Sequence, residues 1–145
     1  MLAQGVHAAG WRSMDKKRIE KLRQTLPKLA FDVLVNKATE PPFSGNWRLP
    51  ATQGTYLCRS CEHPLFHSGH QFEAGCGWPS FDRELPGDVV LRQPDYSHGM
   101  VRMEICCAHC DAHLGHVFDD GPTETGERYC VNSVALIFRP DGAQE

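Results

Sequence analysis

The sequence predicts one mainly β domain, built from antiparallel strands and preceded by short helices. Apolar residues recur at helical spacing near the N-terminus, but beyond residue 45 they form short runs separated by glycine and proline turns. Strands and helices do not alternate in this pattern, so a parallel sheet is not expected. The 145 residues are enough for one domain with its own core. We assign that domain to residues 15–140, with a flexible leader at 1–14 and a C-terminal tail at 141–145.

Two short amphipathic helices are predicted before the strands begin. Across residues 15–26 apolar side chains recur at helical spacing among charged ones, and Asp15 is a suitable N-cap. Pro27 either ends this helix or begins the second one at its first helical position. The apolar face of the second helix consists of Leu29, Ala30, Val33 and Leu34. Within the leader, Met14 is an alternative start to Met1.

Four later runs have the composition of strands. They are residues 54–58, 89–91, 101–105 and 129–138. The last run is almost entirely apolar after Asn132, which predicts a single strand covered on both faces.

Charge and hydropathy exclude several classes of function. The net charge of −3 and the pI of about 6.2 give no electrostatic basis for binding nucleic acid or an anionic membrane. No apolar run approaches the roughly 20 residues that a membrane-spanning helix needs. The first residues lack a basic segment followed by a continuous apolar one, so no signal peptide is expected. We therefore expect a cytoplasmic protein.

Four of the seven cysteines form two C-x-x-C pairs, each after a predicted strand. They are Cys58 with Cys61 and Cys107 with Cys110. Four thiolates in tetrahedral geometry are typical of a closed structural zinc site, so we expect one Zn²⁺ per chain. A thioredoxin-like dithiol in one pair would require a βαβ setting that the pattern lacks. Cys106 adjoins Cys107 and is interpreted as a buried core thiol.

Cys130 is the first of two remaining cysteines and a candidate nucleophile. Arg128 and Asn132 flank it at two residues on either side, so a strand would place all three on one face. The positive charge of Arg128 favours a thiolate. An inert core thiol is the alternative interpretation, because free cysteines are among the most buried residues.

Cys76 is the other remaining cysteine, and its setting predicts an accessible sulfur. Glycines flank it, and Trp78 and Phe81 supply an aromatic wall nearby. His113 and His116 would offer protons near neutral pH if they faced Cys130, although such a pair also occurs as metal ligands or surface residues. Two thiols, an apolar pocket and titratable histidines suit attack on a sulfoxide, but the spacing alone does not select sulfoxides over other electrophiles.

Several motifs resemble those of the B-type methionine sulfoxide reductases. They are residues 39–45, 75–81, 113–122 and 128–133 and both C-x-x-C pairs, in the order of that family from about residue 27 to 138. The resemblance implies two antiparallel β-sheets with short N-terminal helices. It also implies reduction of the R epimer of methionine sulfoxide, in oxidised proteins or peptides and possibly in the free amino acid, with thioredoxin as reductant.

The resemblance also implies roles for individual residues. Cys130 would become a sulfenic acid and then form a disulfide with Cys76, and Arg128 would lower the pKa of Cys130. Trp78 would contact the methyl group of the substrate. The residues expected to contact substrate are Trp78, Phe81, His113, His116, Phe118 and Asn132; His113, His116 and Asn132 would also bind and protonate the sulfoxide oxygen.

Four questions stay open at this level. The resemblance leads us to expect a monomer, but the oligomeric state is not encoded in any motif. A zinc-stabilised binding module with an aromatic pocket is the alternative function, and it would need neither Cys130 nor Cys76. Cys106 is an alternative resolving thiol. The preference between free and protein-bound substrate depends on pocket depth.

Overall fold

The computed structural model describes residues 14–142 and begins with two short helices, α1 (Lys16–Thr25) and α2 (Lys28–Asn36). Both predicted helices are confirmed. Pro27 separates them, and α2 begins at the residue after it. Asp15 stands at the N-cap position of α1, but its side chain makes no capping hydrogen bond. Residues 1–13 of the expected leader lie outside the described range, whereas Met14 packs against the core.

Nine β-strands follow in the described part of the chain. They are β1 (Gly54–Cys58), β2 (Pro64–His67), β3 (Gln71–Phe72), β4 (Ser80–Phe81), β5 (Val90–Asp95), β6 (Arg102–Cys107), β7 (His113–Phe118), β8 (Arg128–Val131) and β9 (Leu136–Pro140). One sheet has the order β2-β1-β9 and the other β3-β4-β8-β7-β6-β5. All pairings are antiparallel, so the predicted architecture of two antiparallel sheets is confirmed.

The prediction of one strand across residues 129–138 is wrong. The run is divided into β8 and β9, which belong to different sheets and are joined by a 3-10 turn at Ser133–Ala135. Asn132 makes the corner, because its amide donates to the Leu114 carbonyl and accepts from the Glu40 N–H. Apolar composition could not reveal this break, since the residues that cause it contact partners far away in sequence.

The core lies between the two sheets and is closed on one side by α2. Phe81 stacks on Phe66 with ring centroids 4.4 Å apart, and Tyr56 meets it edge-on at 5.1 Å. Helix α2 contributes Val33 and Leu34, both fully buried, against β7 and the turn before β9. Burying a side chain such as Phe81 stabilises the fold by about 2–3 kcal/mol.

Glu40 fastens the loop after α2 to the corner between the sheets. The residue is fully buried, and its carboxylate accepts hydrogen bonds from the Ser133 hydroxyl and the Val134 N–H at 3.0 Å. Its backbone carbonyl accepts from Trp78 Nε1 at 3.0 Å. One residue therefore holds together a loop, a sheet corner and an aromatic side chain.

We expect Glu40→Ala to lower the free energy of unfolding by about 2–3 kcal/mol, because buried donors at Ser133 and Val134 lose their acceptor. Urea denaturation followed by tryptophan fluorescence measures the change. Glu73→Ala is the matched control: this glutamate is exposed, and its removal should cost less than about 0.5 kcal/mol. Equal effects of the two substitutions would contradict the bridging role of Glu40.

Candidate metal centre and two-cysteine cavity

The two C-x-x-C pairs meet in one cluster of four sulfurs. Cys58 ends β1 and Cys107 ends β6, and each is followed by a turn that returns its second cysteine to the same point. In both turns a backbone N–H bonds back to the first cysteine, and the donors, Glu62 and Asp111, adopt positive φ angles of 64° and 68°. The intervening β-structure thus brings the pairs together as predicted.

The cluster has the dimensions of a four-thiolate metal site. All four sulfurs lie within 4.8 Å of one another, and the Cys58–Cys110 and Cys61–Cys107 pairs are each 3.7 Å apart. Tetrahedral ligands at about 2.3 Å from zinc would be about 3.8 Å apart. Three of the four cysteines are buried, so the site is closed to a substrate. The residues present therefore fit a structural ion.

Cys106 lies outside this cluster, as the sequence predicted. The residue is 1% exposed, and its thiol donates to Glu104 Oε2 at 3.3 Å. Burial, together with the negative charge of Glu104, raises the pKa of Cys106 far above its ordinary value. The thiol is therefore protonated and sealed from solvent.

A separate cavity of about 230 Å³ contains the other two cysteines. Its lining consists of Thr39, Cys76, Trp78, Arg102, Gly115, His116, Phe118, Arg128, Cys130, Val131 and Asn132. The sulfurs of Cys76 and Cys130 are 4.0 Å apart, although the residues are 54 positions apart in sequence. Cys130 is thus not an isolated core thiol, because it shares a cavity with a second thiol and with Trp78.

Strand pairing positions Cys130 within this cavity. Its partners across the sheet are Ser80 on β4 and His116 on β7, so the three side chains share one face. Cys76 reaches the same place on the loop before β4. Gly77 has φ 91°, and a Cβ there would collide with Phe43, whose N–H bonds to its carbonyl. The loop that carries Cys76 is therefore shaped by close backbone contact.

The two thiols differ in acidity. Burial and the neighbouring Cys76 raise the pKa of Cys130 to about 12, and the opposing effect of Arg128 is too small to reverse this. Burial alone would raise the pKa of Cys76, but contacts with Ser80 and the Trp78 backbone hold it below its ordinary value. At neutral pH Cys130 is a thiol, and Cys76 is the more acidic of the pair.

Arg128 is paired with Asp120 on the cavity wall. Its Nε and Nη2 donate to the two carboxylate oxygens at 2.9 and 3.2 Å. The guanidinium also lies over the Phe118 ring at 4.5 Å. The sequence identified the charge of Arg128 but not these contacts, which fix its position on the cavity wall.

The two histidines occupy different depths. His116 lines the cavity, and its Nε2 is 2.7 Å from Asp95 Oδ2. Burial lowers the pKa of His116 despite the hydrogen bond with Asp95, so the ring is neutral at pH 7. His113 is buried one layer further in, with its ring centroid 5.8 Å from that of His116. The expectation that both rings face the substrate therefore has structural support only for His116.

One predicted substrate contact lies elsewhere. Phe81 is fully buried in the core, because β4 turns Ser80 toward the cavity and the next residue away from it. Conversely, sequence reasoning missed Thr39 and Arg102, which line the cavity, and Asp95, which holds His116. Charged residues occupy alternate positions of the predicted strand at 101–105, and this pattern could have identified Arg102 as a candidate site residue.

The fold and the site together define a class: a small β domain that combines a closed cluster of four cysteines, suited to a metal ion, with a separate pair of neighbouring thiols. The SelR domain model matches residues 26–140 of the chain. Three relatives carry the name peptide methionine sulfoxide reductase MsrB. The protein of Pseudomonas savastanoi pv. phaseolicola (strain 1448A / Race 6) is 50% identical over 129 residues, covering 88% of this chain and 98% of the relative.

The other two relatives are equally similar. The protein of Pseudomonas putida (strain W619) is 49% identical over 128 residues, covering 88% of this chain and 96% of its own length. That of Escherichia coli O45:K1 (strain S88 / ExPEC) is 50% identical over 124 residues, covering 86% and 90%. The chain belongs to the SelR domain family, and within it to the MsrB type of peptide methionine sulfoxide reductases, which confirms the resemblance carried by its motifs.

We expect Cys110→Ser to abolish stable metal binding and the cooperative thermal transition, because metal-binding free energy is folding free energy in such sites. Elemental analysis and a circular dichroism melt are the measurements. Cys106→Ser is the control, since a hydroxyl can still donate to Glu104 and no ligand is lost; it should retain the metal. A native melt in metal-free Cys110→Ser would contradict a structural centre.

We expect iodoacetamide to modify Cys76 faster than Cys130 at pH 8. A raised pKa keeps Cys130 protonated at pH 8. The rate at which iodoacetamide modifies Cys130 should therefore rise with its thiolate fraction as the pH increases toward about 12. Cys76→Ser removes a group that raises this pKa and should speed modification of Cys130. Mass spectrometry of the labelled peptides follows both sites, with buried Cys106 as an unreactive reference. Preferential labelling of Cys130 at pH 7 would refute this order.

Proposed function

We propose that the protein reduces the R epimer of methionine sulfoxide in oxidised proteins and peptides, and in the free amino acid, with Cys130 as the attacking residue. The observation that carries this proposal is the 4.0 Å approach of Cys130 and Cys76 sulfurs inside one cavity that also holds an aromatic ring and a neutral histidine. The names of the relatives support the same chemistry.

The cavity has a suitable partner for each part of a methyl sulfoxide. Trp78 is held in place by its Nε1 hydrogen bond to Glu40 and, with Phe118, provides apolar surface for the methyl group. His116 and Asn132 lie on the same wall and would face the sulfoxide oxygen. Asn132 already donates to Leu114 through Nδ2, which leaves its second amide hydrogen for a further contact.

The first step transfers one oxygen atom from the substrate to Cys130. The Cys130 sulfur attacks the sulfoxide sulfur, the thiol proton goes to the sulfoxide oxygen, and that oxygen ends on Cys130 as a sulfenic acid while the thioether is released. The substrate is reduced by two electrons and Cys130 is oxidised by two. Because Cys130 is protonated at rest, the enzyme brings its own proton to this step.

The second step removes the oxygen as water. The Cys76 sulfur attacks the sulfenic sulfur, the hydroxyl leaves with a proton as water, and a Cys76–Cys130 disulfide forms. The lower pKa of Cys76 suits an attacking thiolate. A dithiol protein such as thioredoxin would then reduce the disulfide by exchange, which returns both cysteines to thiols.

The four-cysteine centre has a structural role in this proposal. Cys58, Cys61, Cys107 and Cys110 would hold one Zn²⁺ that joins the end of β1 to the end of β6 and so links the two sheets. The ion would supply stability and no chemistry at the cavity.

No helix within residues 14–142 is long and apolar enough to cross a bilayer. We further propose that the protein acts as a monomer in the cytoplasm.

Separated R and S sulfoxides of an N-acetylated, amidated methionine test the proposal in a thioredoxin-coupled assay. We expect turnover of the R epimer alone, and loss of all reduction in Cys130→Ser. In Cys76→Ser we expect about one equivalent of thioether per chain and no thioredoxin-dependent turnover, because the sulfenic acid cannot be resolved.

Cys106→Ser is the control for the resolving role. It should turn over at the wild-type rate, since Cys106 is sealed from the cavity. Full turnover of Cys76→Ser would contradict the assignment of Cys76, and binding of the sulfoxide without any reduction by the wild-type protein would favour the alternative of a zinc-stabilised binding module.

A further inference from the structure

Glu104 is a buried carboxylate that no step of the proposed reaction uses. Its side chain is 3% exposed and projects from β6. Two donors meet Oε1: Lys37 Nζ at 3.3 Å and Gln93 Nε2 at 2.8 Å. Two others meet Oε2: His113 Nδ1 at 2.7 Å and the Cys106 thiol at 3.3 Å. Donors from α2's C-terminal end and from three strands therefore converge on one group.

This carboxylate is ionised at neutral pH. Burial alone would raise the pKa of Glu104, but hydrogen bonds from His113 and Gln93, together with the electrostatic attraction of His113 and Lys37, hold it at about 2. An ionised carboxylate can only accept hydrogen bonds. The proton in the 2.7 Å contact must therefore belong to Nδ1 of His113.

The other ring nitrogen of His113 has no partner. Nε2 is buried and makes no hydrogen bond to any residue between 14 and 142. Buried polar atoms without a partner are uncommon, and each one calls for an explanation. The His113 ring meets the His116 ring edge-on, at 73° and with centroids 5.8 Å apart, and His116 lines the cavity. The ring that carries the free nitrogen is thus in contact with a residue of the proposed sulfoxide site.

The two histidines are held through opposite nitrogens. Glu104 on β6 holds His113 through Nδ1, whereas Asp95 on β5 holds His116 through Nε2. Asp95 is itself bound by the Ser97 N–H and lies 3.5 Å from Arg102. Carboxylates on two adjacent strands therefore set which nitrogen of each imidazole remains available.

We propose that Glu104 is a positioning residue that acts through His113, fixing a proton on Nδ1 and leaving Nε2 to take up or release a proton next to the sulfoxide site. The proposal rests on the function proposed above. Glu104 itself touches neither the cavity nor the substrate.

A second metal site at Glu104, Cys106 and His113 is the competing interpretation of this cluster. The three ligand atoms lie within 4.8 Å of one another. However, the Lys37 ammonium contacts the same carboxylate and would repel a cation. The protonated thiol of Cys106 would also have to lose its proton in a buried position. The Cys106 thiol and His113 Nδ1 already have Glu104 as their hydrogen-bond partner without an ion.

Glu104→Gln tests the proposal with little change in shape. Lys37 and Gln93 donate to the Oε1 position, so the amide oxygen stays there and the NH₂ group replaces Oε2. That group can only donate, and the proton of His113 should therefore move from Nδ1 to Nε2. Long-range ¹H–¹⁵N NMR of the imidazole rings, with His113→Asn to assign the signals, reports the tautomer directly in the metal-loaded protein.

Kinetics provide the second measurement. With the wrong nitrogen protonated, we expect the single-turnover rate of R-sulfoxide reduction to fall by about tenfold or more, while the KM is unchanged because Glu104 does not line the cavity. Gln93→Ala is the matched control. It removes a different contact with the same carboxylate and should keep both the Nδ1 tautomer and a rate within about threefold of wild type.

Three results would overturn the proposal: a wild-type His113 protonated on Nε2 alone, a Glu104→Gln variant with shifted tautomer but wild-type rate, or equal losses in Glu104→Gln and Gln93→Ala. The first measurement is made on the wild-type protein, so it stands even if Glu104→Gln fails to fold. Failure of the proposed function is separately visible, because wild-type protein would then reduce no sulfoxide while the tautomer of His113 remained measurable.

Discussion

The close pairing of β7 with β8 is the constraint on which the candidate site depends. Its register sets His116 opposite Cys130 and Phe118 opposite Arg128, so one face of two neighbouring strands carries four of the eleven residues that line the cavity. Gly115 makes this approach possible, because a side chain there would overlap the backbone carbonyl of Cys130. Cys130 therefore owes its position to backbone hydrogen bonds and not to a flexible loop. The sheet thus provides one wall of the pocket, and loops that carry Thr39, Cys76 and Trp78 complete it.

Two buried carboxylates attach the remaining parts of the site to this pair of strands. Glu40 connects the loop after α2 with the corner at Ser133 and holds Trp78 through its own backbone. Glu104 connects the end of α2 with His113 through Lys37. Breaking a buried, multiply bonded carboxylate is costly, since donors that lose it are stranded away from water. The N-terminal helices thus contribute to the site without any residue of α1 or α2 in the cavity.

Sequence reasoning succeeded where the relevant physics is local. The helices follow from a short repeat of apolar residues, and the four-cysteine cluster follows from the spacing of its two C-x-x-C pairs. It failed at residues 129–138, because the break at Asn132 depends on a hydrogen bond to a residue 92 positions away. The contact assigned to Phe81 failed because a strand of two residues decides which side chain faces the cavity. The raised pKa of Cys130 was equally invisible, since it reflects burial and the neighbouring Cys76, which is 54 positions away in sequence.

The seven cysteines fall into three environments, and this division sets an order of vulnerability when the protein itself meets an oxidant. Thiols react as thiolates and only where a reagent can reach them. The four clustered sulfurs face one another in the candidate metal site, and Cys106 is both protonated and buried. Oxidation is thereby directed first to Cys76, the more acidic thiol of the cavity, and Cys130 at 4.0 Å would allow the oxidised sulfur to form a disulfide that exchange can reverse. In a cysteine-rich protein built this way, reversible oxidation would come before any irreversible one.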